Sequence, residues 1–113
     1  MLKVLIVDDE LIVRVGLNAC LEWEKLGYEV SSMAEDGKTA LEMIENDCPD
    51  VVFTDIKMPV MDGLELIRTA KKIYPKIKFV VLSCLNEIDY VKQAIKLGAE
   101  DYILKLTFKA DDL

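Results

Sequence analysis

The chain has 113 residues, 52% hydrophobic and 31% charged, a mix that allows one core, excludes a second one and disfavours disorder. A formal net charge of -7, with Lys71, Lys72, Lys76 and Lys78 as the densest basic stretch, argues against a domain that grips a nucleic-acid backbone. The longest apolar runs, such as Phe79-Val80-Val81-Leu82, are too short for a membrane span or a signal-peptide core, so a cytoplasmic protein is expected.

Lys3 to Val7 reads as a strand that runs into Asp8-Asp9-Glu10. From about Leu11 to Trp23, the residues Ile12, Val15, Gly16, Ala19, Cys20 and Trp23 recur at helical spacing, which predicts a helix packed on a sheet, with Gly27 as the stop. Glu29 to Ala34 is too short for a helix and predicts an edge strand carrying Val30 and Met33. Gly37 to Asn46 places Ala40, Leu41 and Ile44 on one helical face, and Asp47-Cys48-Pro49-Asp50 ends it. Val51 to Thr54 is a β-branched and aromatic strand that ends abruptly at Asp55, after which Met58-Pro59 blocks further strand or helix.

Asp62-Gly63-Leu64-Glu65 has the form of a capping box, ahead of a helix with Leu66, Ile67, Ala70 and Ile73 as its buried stripe and Pro75 as its stop. Lys78 to Leu82 is a continuous apolar strand, the pattern of a strand covered on both faces. A helix beginning at Asn86 turns Ile88, Val91, Ala94 and Ile95 inward and stops at Gly98, and Tyr102-Ile103-Leu104 forms a last strand leading to Lys105. Strands and helices thus alternate, with connections too short for anything but parallel crossovers. The expected fold is α/β, a doubly wound five-stranded parallel sheet. Ala110-Asp111-Asp112-Leu113 reads as the start of a further helix, so residues 1–113 are expected to be one domain, with its last helix truncated, cut from a longer chain.

The chemistry centres on Asp55. A carboxylate at the carboxyl end of a strand stands where open α/β sheets place their sites, and Asp8-Asp9 end the first strand in the same way. Two carboxylates ~5 Å apart repel by about 3 kcal/mol at an effective dielectric near 20, so a cluster of them calls for a cation or a shared proton. The three cysteines, Cys20, Cys48 and Cys84, are widely spaced and the chain has no histidine, which disfavours disulfide frameworks and zinc sites and predicts reduced thiols, with Cys20 in the core.

Asp8-Asp9, Asp55, Met58-Pro59, Asp62-Gly63, Ser83, and Tyr102 three residues before Lys105 occur in order at successive strand ends. In these features the chain from Lys3 to Lys105 resembles the receiver domain of bacterial two-component response regulators. The resemblance implies a flavodoxin-like sheet of order 2-1-3-4-5. It implies a phosphorylation-activated switch, not a turnover enzyme, in which Asp55 accepts a phosphoryl group from a sensor histidine kinase. It further implies Mg²⁺, for which Mn²⁺ can substitute, held by Asp9, Asp55 and the main-chain carbonyl of Lys57, with Asp8 acting mostly through water. Lys105 and Ser83 would contact the phosphoryl oxygens, and Ser83 and Tyr102 would form the switch.

Each residue also has a plainer reading. Asp8 or Asp9 can cap the following helix, a serine in that place is ordinarily a turn residue, a lysine leaving a strand is ordinarily a surface charge, and Tyr102 is equally an amphipathic edge residue. The block from Ser83 to Lys105 is similar to receivers joined to AraC-type DNA-binding output domains, which implies a transcription regulator that dimerises on phosphorylation through its fourth helix and fifth strand, while this domain itself touches no nucleic acid. Leu106 stands where receivers usually have proline, so a trans peptide is expected after Lys105. Lys57, Cys84 and Leu85 flank the path of hydrolytic water and are expected to tune phosphate lifetime. Three different functions compete with a receiver. A dehalogenase-type phosphatase would need an acid two residues after its nucleophile, where this chain has Lys57, and a flavin carrier would need a glycine-rich phosphate loop, which the chain lacks. A phosphorylation-independent interaction module would leave the acidic pocket vestigial.

Overall fold

Apolar runs that alternate between two buried faces dictate a sheet covered on both sides. The computed structural model, which describes residues 1–20, 22–83 and 87–104, contains that sheet. Its elements are β1 (Leu2–Val7), α1 (Leu11–Cys20), a 3-10 turn (Glu24–Leu26), β2 (Tyr28–Ala34), α2 (Gly37–Asn46), β3 (Val51–Asp55), α3 (Gly63–Ile73), β4 (Lys78–Ser83), α4 (Ile88–Leu97) and β5 (Asp101–Leu104). All pairings are parallel and the order is β2-β1-β3-β4-β5. The expected fold and strand order are therefore those observed.

Leu5, Val7, Val52, Phe79 and Val81 face α2, α3 and α4, where Ala40, Ile44, Leu66, Ile67 and Val91 complete one core. Val4, Ile6, Val51 and Leu82 face the other way, toward Val13, Leu17 and Trp23. Trp23 closes this second core with its ring edge-on to Phe53 at 5.3 Å between centroids, and its indole donates to the Asn18 carbonyl at 3.1 Å. Gly27 takes the left-handed φ of 85° that turns the chain into β2, as its stop role requires. At the opposite end from the acids, the Lys3 ammonium pairs with Asp47 at 2.9 Å, which raises the lysine pKa.

The buried faces of three helices differ from the sequence expectation. In α1 the buried residues are Val13, Gly16 and Leu17, while Ile12, Val15 and Ala19 are exposed and Trp23 lies beyond the helix. The run Leu11-Ile12-Val13 is apolar at every position, so helical periodicity has two solutions and cannot choose the phase. Ile73, in the last turn of α3, and Ile88 and Ile95, on the flanks of α4, are about half exposed, because each wide apolar face meets the sheet only through its central residues. The side chain of Cys20 and a helix start at Asn86 lie outside the described residues.

The capping box is half made. Asp62 Oδ1 accepts from the Glu65 amide at 2.9 Å, but the Glu65 carboxylate turns along α3 to Arg68 and Thr69 instead of back to the cap. In β2 the register slips between Val4 and Leu5, so Ser31 is an extra residue, and Val30 pairs with Val4 while Met33 pairs with Ile6. This bulge explains why two hydrophobic residues three apart, out of step with a period of two, both fall opposite residues of the second core.

Candidate functional site: an acidic cleft at the switch point

Strand order reverses its direction of growth between β1 and β3, and the crevice at their carboxyl ends is where such sheets bind ligands. Val7 pairs with Thr54, so Asp8 and Asp55 are the next residues on neighbouring strands, whose backbones run about 4.8 Å apart. Asp55 in turn pairs with Leu82, which puts Ser83 one step further along β4. Asp8, Thr54, Asp55 and Ser83 are all buried, an unusual density of polar side chains for a core.

Local bonds fix these groups. Asp8 Oδ1 accepts from the Glu10 amide at 2.9 Å, a turn that leads into α1, so capping accounts for one of the contacts of Asp8. Arg14 donates from Nη1 to the Asp8 carbonyl at 2.6 Å, bringing a cation to the base of the acidic loop. Asp55 Oδ1 accepts from the Ile56 amide at 2.7 Å, and the Thr54 hydroxyl donates to the Asp55 carbonyl at 2.9 Å. Ser83 Oγ is buried and has no hydrogen-bond partner among the described residues, an arrangement that costs about 1–3 kcal/mol until an acceptor arrives.

Asp8, Asp9 and Glu10 offer carboxylate oxygens that all lie within 4.8 Å of one another. Asp55 is adjacent through strand pairing but is not a member of that close group among the described residues. Glu10 is thus a candidate ligand that sequence reasoning left out, although it stands next to Asp9 in the chain. An all-oxygen donor set of carboxylates suits a hard divalent cation, with room for waters in its shell.

The loop after Asp55 is clamped from two sides. The Gly63 amide donates to the Ile56 carbonyl at 2.6 Å, and a Cβ on Gly63 would lie 2.1 Å from the Asp55 carbonyl oxygen. On the other side the Gly37 amide donates to the Met61 carbonyl at 3.1 Å, where a Cβ would come within 2.4 Å of the same oxygen. Between the clamps, Val60 is held at φ 69°, the left-handed region that a β-branched residue avoids. Its side chain is 77% exposed, so packing offers little compensation. Val60→Gly is expected to stabilise the fold by ~0.5–1 kcal/mol, the relief of roughly 1–2 kcal/mol of strain less the entropy of glycine, read as a shift in the urea midpoint.

Tyr102, on β5, pairs with Val81 of β4 and is 43% exposed. Lys57 is also exposed, with its ammonium 4.7 Å from the centroid of the Tyr90 ring in α4, a contact the sequence did not signal. Lys105, Leu106, Cys84 and Leu85 lie outside the described residues. Cys48 is exposed, and partial burial of its thiol, with Asp50 and Asp47 nearby, raises its pKa.

The model of the response regulator receiver domain matches residues 4–113. The chain belongs to the response regulator receiver family. This receiver is 44% identical over 105 residues to the transcriptional regulatory protein YesN of Bacillus subtilis, covering 93% of this chain but only 28% of YesN. It is 41% identical over 103 residues to the chemotaxis protein CheY of Thermotoga maritima, covering 91% of this chain and 84% of CheY. Among solved structures, the receiver domain of AraT, a response regulator from Geobacillus stearothermophilus, superposes with a TM-score of 0.87 at 37% identity, covering 97% of this chain and 88% of that one. Receivers are signalling switches, not turnover enzymes, so a phosphatase and a flavin carrier both fall away. No helix among the described residues is long and apolar enough to cross a membrane.

Proposed function

We propose that this receiver is a phosphorylation-driven switch whose phosphoacceptor is Asp55, served by a sensor histidine kinase. One observation carries the reading: Asp8, Asp55 and Ser83, each buried, end three adjacent strands at the switch point of the sheet. An Asp55 carboxylate oxygen attacks the phosphorus of a phosphohistidine, the P–N bond breaks, and the imidazole leaves with its electron pair as an acyl phosphate forms. Such a transfer asks the protein mainly for alignment and for charge to offset the phosphoryl oxygens.

Asp8, Asp9, Asp55 and the main-chain carbonyl of Lys57 would hold Mg²⁺, with Glu10 close enough to join through water. When bound, the cation neutralises charge on the transferring group. Ser83 Oγ, buried without an acceptor among the described residues, would donate to a phosphoryl oxygen, and Lys105 would supply the point charge. Tyr102, exposed on β5, would turn inward as Ser83 is drawn to the phosphate. Reversing a population from 1:99 to 99:1 takes ~5.5 kcal/mol of differential interaction, within reach of those charge-assisted contacts together.

The output is proposed to be transcriptional. Residues 1–113 would act as the receiver portion of a longer cytoplasmic regulator that dimerises on phosphorylation, with an AraC-like DNA-binding domain elsewhere in the chain; the likeness to YesN, named as a transcriptional regulatory protein, supports this. The acidic surface then leaves DNA contact to the output domain. Incubated with acetyl phosphate and Mg²⁺, the protein is expected to gain one phosphoryl group by intact mass. Omission of the cation or Asp55→Asn is expected to abolish the gain. A gain that survives Asp55→Asn would overturn the assignment.

A further inference from the structure

The phosphoacceptor loop and α4 meet in a contact that the chemistry above leaves unused. Lys57 Nζ sits 4.7 Å from the Tyr90 ring centroid, within the range of a cation–π interaction. Among the described residues Lys57 has no carboxylate within ion-pair distance, so the ring face is what its ammonium rests on. Tyr90 belongs to the first turn of α4, where Ile88, Asp89 and Tyr90 are all exposed, between the buried N-cap residue Glu87 and the buried Val91. The three residues between those two anchors are exposed, so a link from Tyr90 to the loop beside Asp55 has leverage on that stretch. The base of the same loop is immobilised by Gly63 and Gly37, so a pull at Lys57 is not dissipated by movement of the whole loop.

We propose that Lys57 and Tyr90 form a clasp that pins the first turn of α4 to the phosphoacceptor loop, and that a phosphoryl group on Asp55 opens it by drawing the Lys57 ammonium off the ring. The release step rests on the reading of Asp55 as phosphoacceptor; the clasp itself does not. An acyl phosphate carries roughly -1.5 to -2 charges in place of the single charge of the Asp55 carboxylate, a net gain of about -0.5 to -1 two residues from Lys57. An exposed cation–π contact biases an equilibrium only about two- to fivefold, so it is the kind of contact that a new dianion nearby can outcompete. Tyr90 is in this scheme a positioning residue: it parks a cation beside the site until the charge that attracts it arrives.

The test is residue-resolved amide exchange across 88–91 in the whole chain, with and without acetyl phosphate and Mg²⁺, and intact mass as the record of phosphorylation. Without phosphodonor, Lys57→Met and Tyr90→Leu are each expected to speed exchange about two- to fivefold, the double variant no further, and Tyr90→Phe, which keeps the ring, not at all. With phosphodonor, the wild-type protein is expected to reach the exchange rate of the variants, and the variants to change little. Additive effects in the double variant, or Tyr90→Phe behaving as Tyr90→Leu, would overturn the clasp. Unchanged exchange in a protein whose mass shows the phosphoryl group would overturn the release step alone. Absence of any mass gain would instead refute the reading of Asp55, and with it the release, while the unphosphorylated comparison still decides the clasp.

Discussion

Gly63→Ala is expected to be among the most damaging single-atom additions in this receiver. The new methyl carbon would stand 2.1 Å from the Asp55 carbonyl oxygen and 3.0 Å from the Asp55 carbonyl carbon and from Ile56 Cα, all backbone atoms with no rotamer to yield. Since an ordinary carbon–oxygen contact needs more than about 3 Å, α3 must retreat by roughly 1 Å or the end of β3 must bend. Either movement strains the 2.6 Å bond from the Gly63 amide to the Ile56 carbonyl, and that residue's own amide holds Asp55 Oδ1. Overpacking of this sort costs ~1–3 kcal/mol, and misplacement of a reacting group by about 1 Å can slow a reaction ~100-fold. Chemical denaturation should show the first loss and acetyl-phosphate labelling the second. A folded Gly63→Ala protein that is labelled at the wild-type rate would show that the Asp55 backbone tolerates the displacement.

Asp9→Asn is expected to change the response to divalent cations in both directions. Asp9 shares a space of 4.8 Å with the carboxylates of Asp8 and Glu10, so its charge is repelled in the absence of a cation and attracted in its presence. Neutralising it should raise the thermal midpoint in EDTA and weaken Mg²⁺ binding. By mass action, Mg²⁺ at about a hundred times its dissociation constant adds ~2.7 kcal/mol to the wild-type protein, and most of that gain should vanish at the same concentration in the variant. Thermal melts in EDTA and across a Mg²⁺ titration measure both effects. A variant that melts lower in EDTA and keeps the full Mg²⁺ shift would mean that Asp9 serves the fold and not the cation.

Much of this molecule is readable from the chain because its strands are short, apolar and punctuated. The ends of β1 and β3 are marked by Asp8 and Asp55, where an unbroken β-branched run meets a charge, and that boundary alone places both acids on one edge of the sheet. Helix phase is less legible: α1 is apolar on two sides, so periodicity points Ile12 and Val15 at the core that Val13 and Leu17 occupy. Contacts set by three-dimensional approach leave no mark in the sequence. The bond from Arg14 to the Asp8 carbonyl, the ring of Tyr90 beneath Lys57, and the close fit of Gly37 on Met61 join residues whose types are ordinary at their positions. Glu10 has a signal, its place directly after two aspartates, but its nearness to them in space depends on the turn that Asp8 closes.

The slip at Ser31 has a bearing on how such domains diverge. The irregularity falls between the outermost strand and its neighbour, whereas the pairings from Val4 to Val7 with β3, and from Val51 to Asp55 with β4, run without interruption. Errors in alignment are thus collected at the rim, and the spacing of Asp8 and Asp55 is inherited from the regular centre. Insertions or deletions in β2 should accordingly accumulate over evolution with far less harm to signalling than the same changes one strand further in.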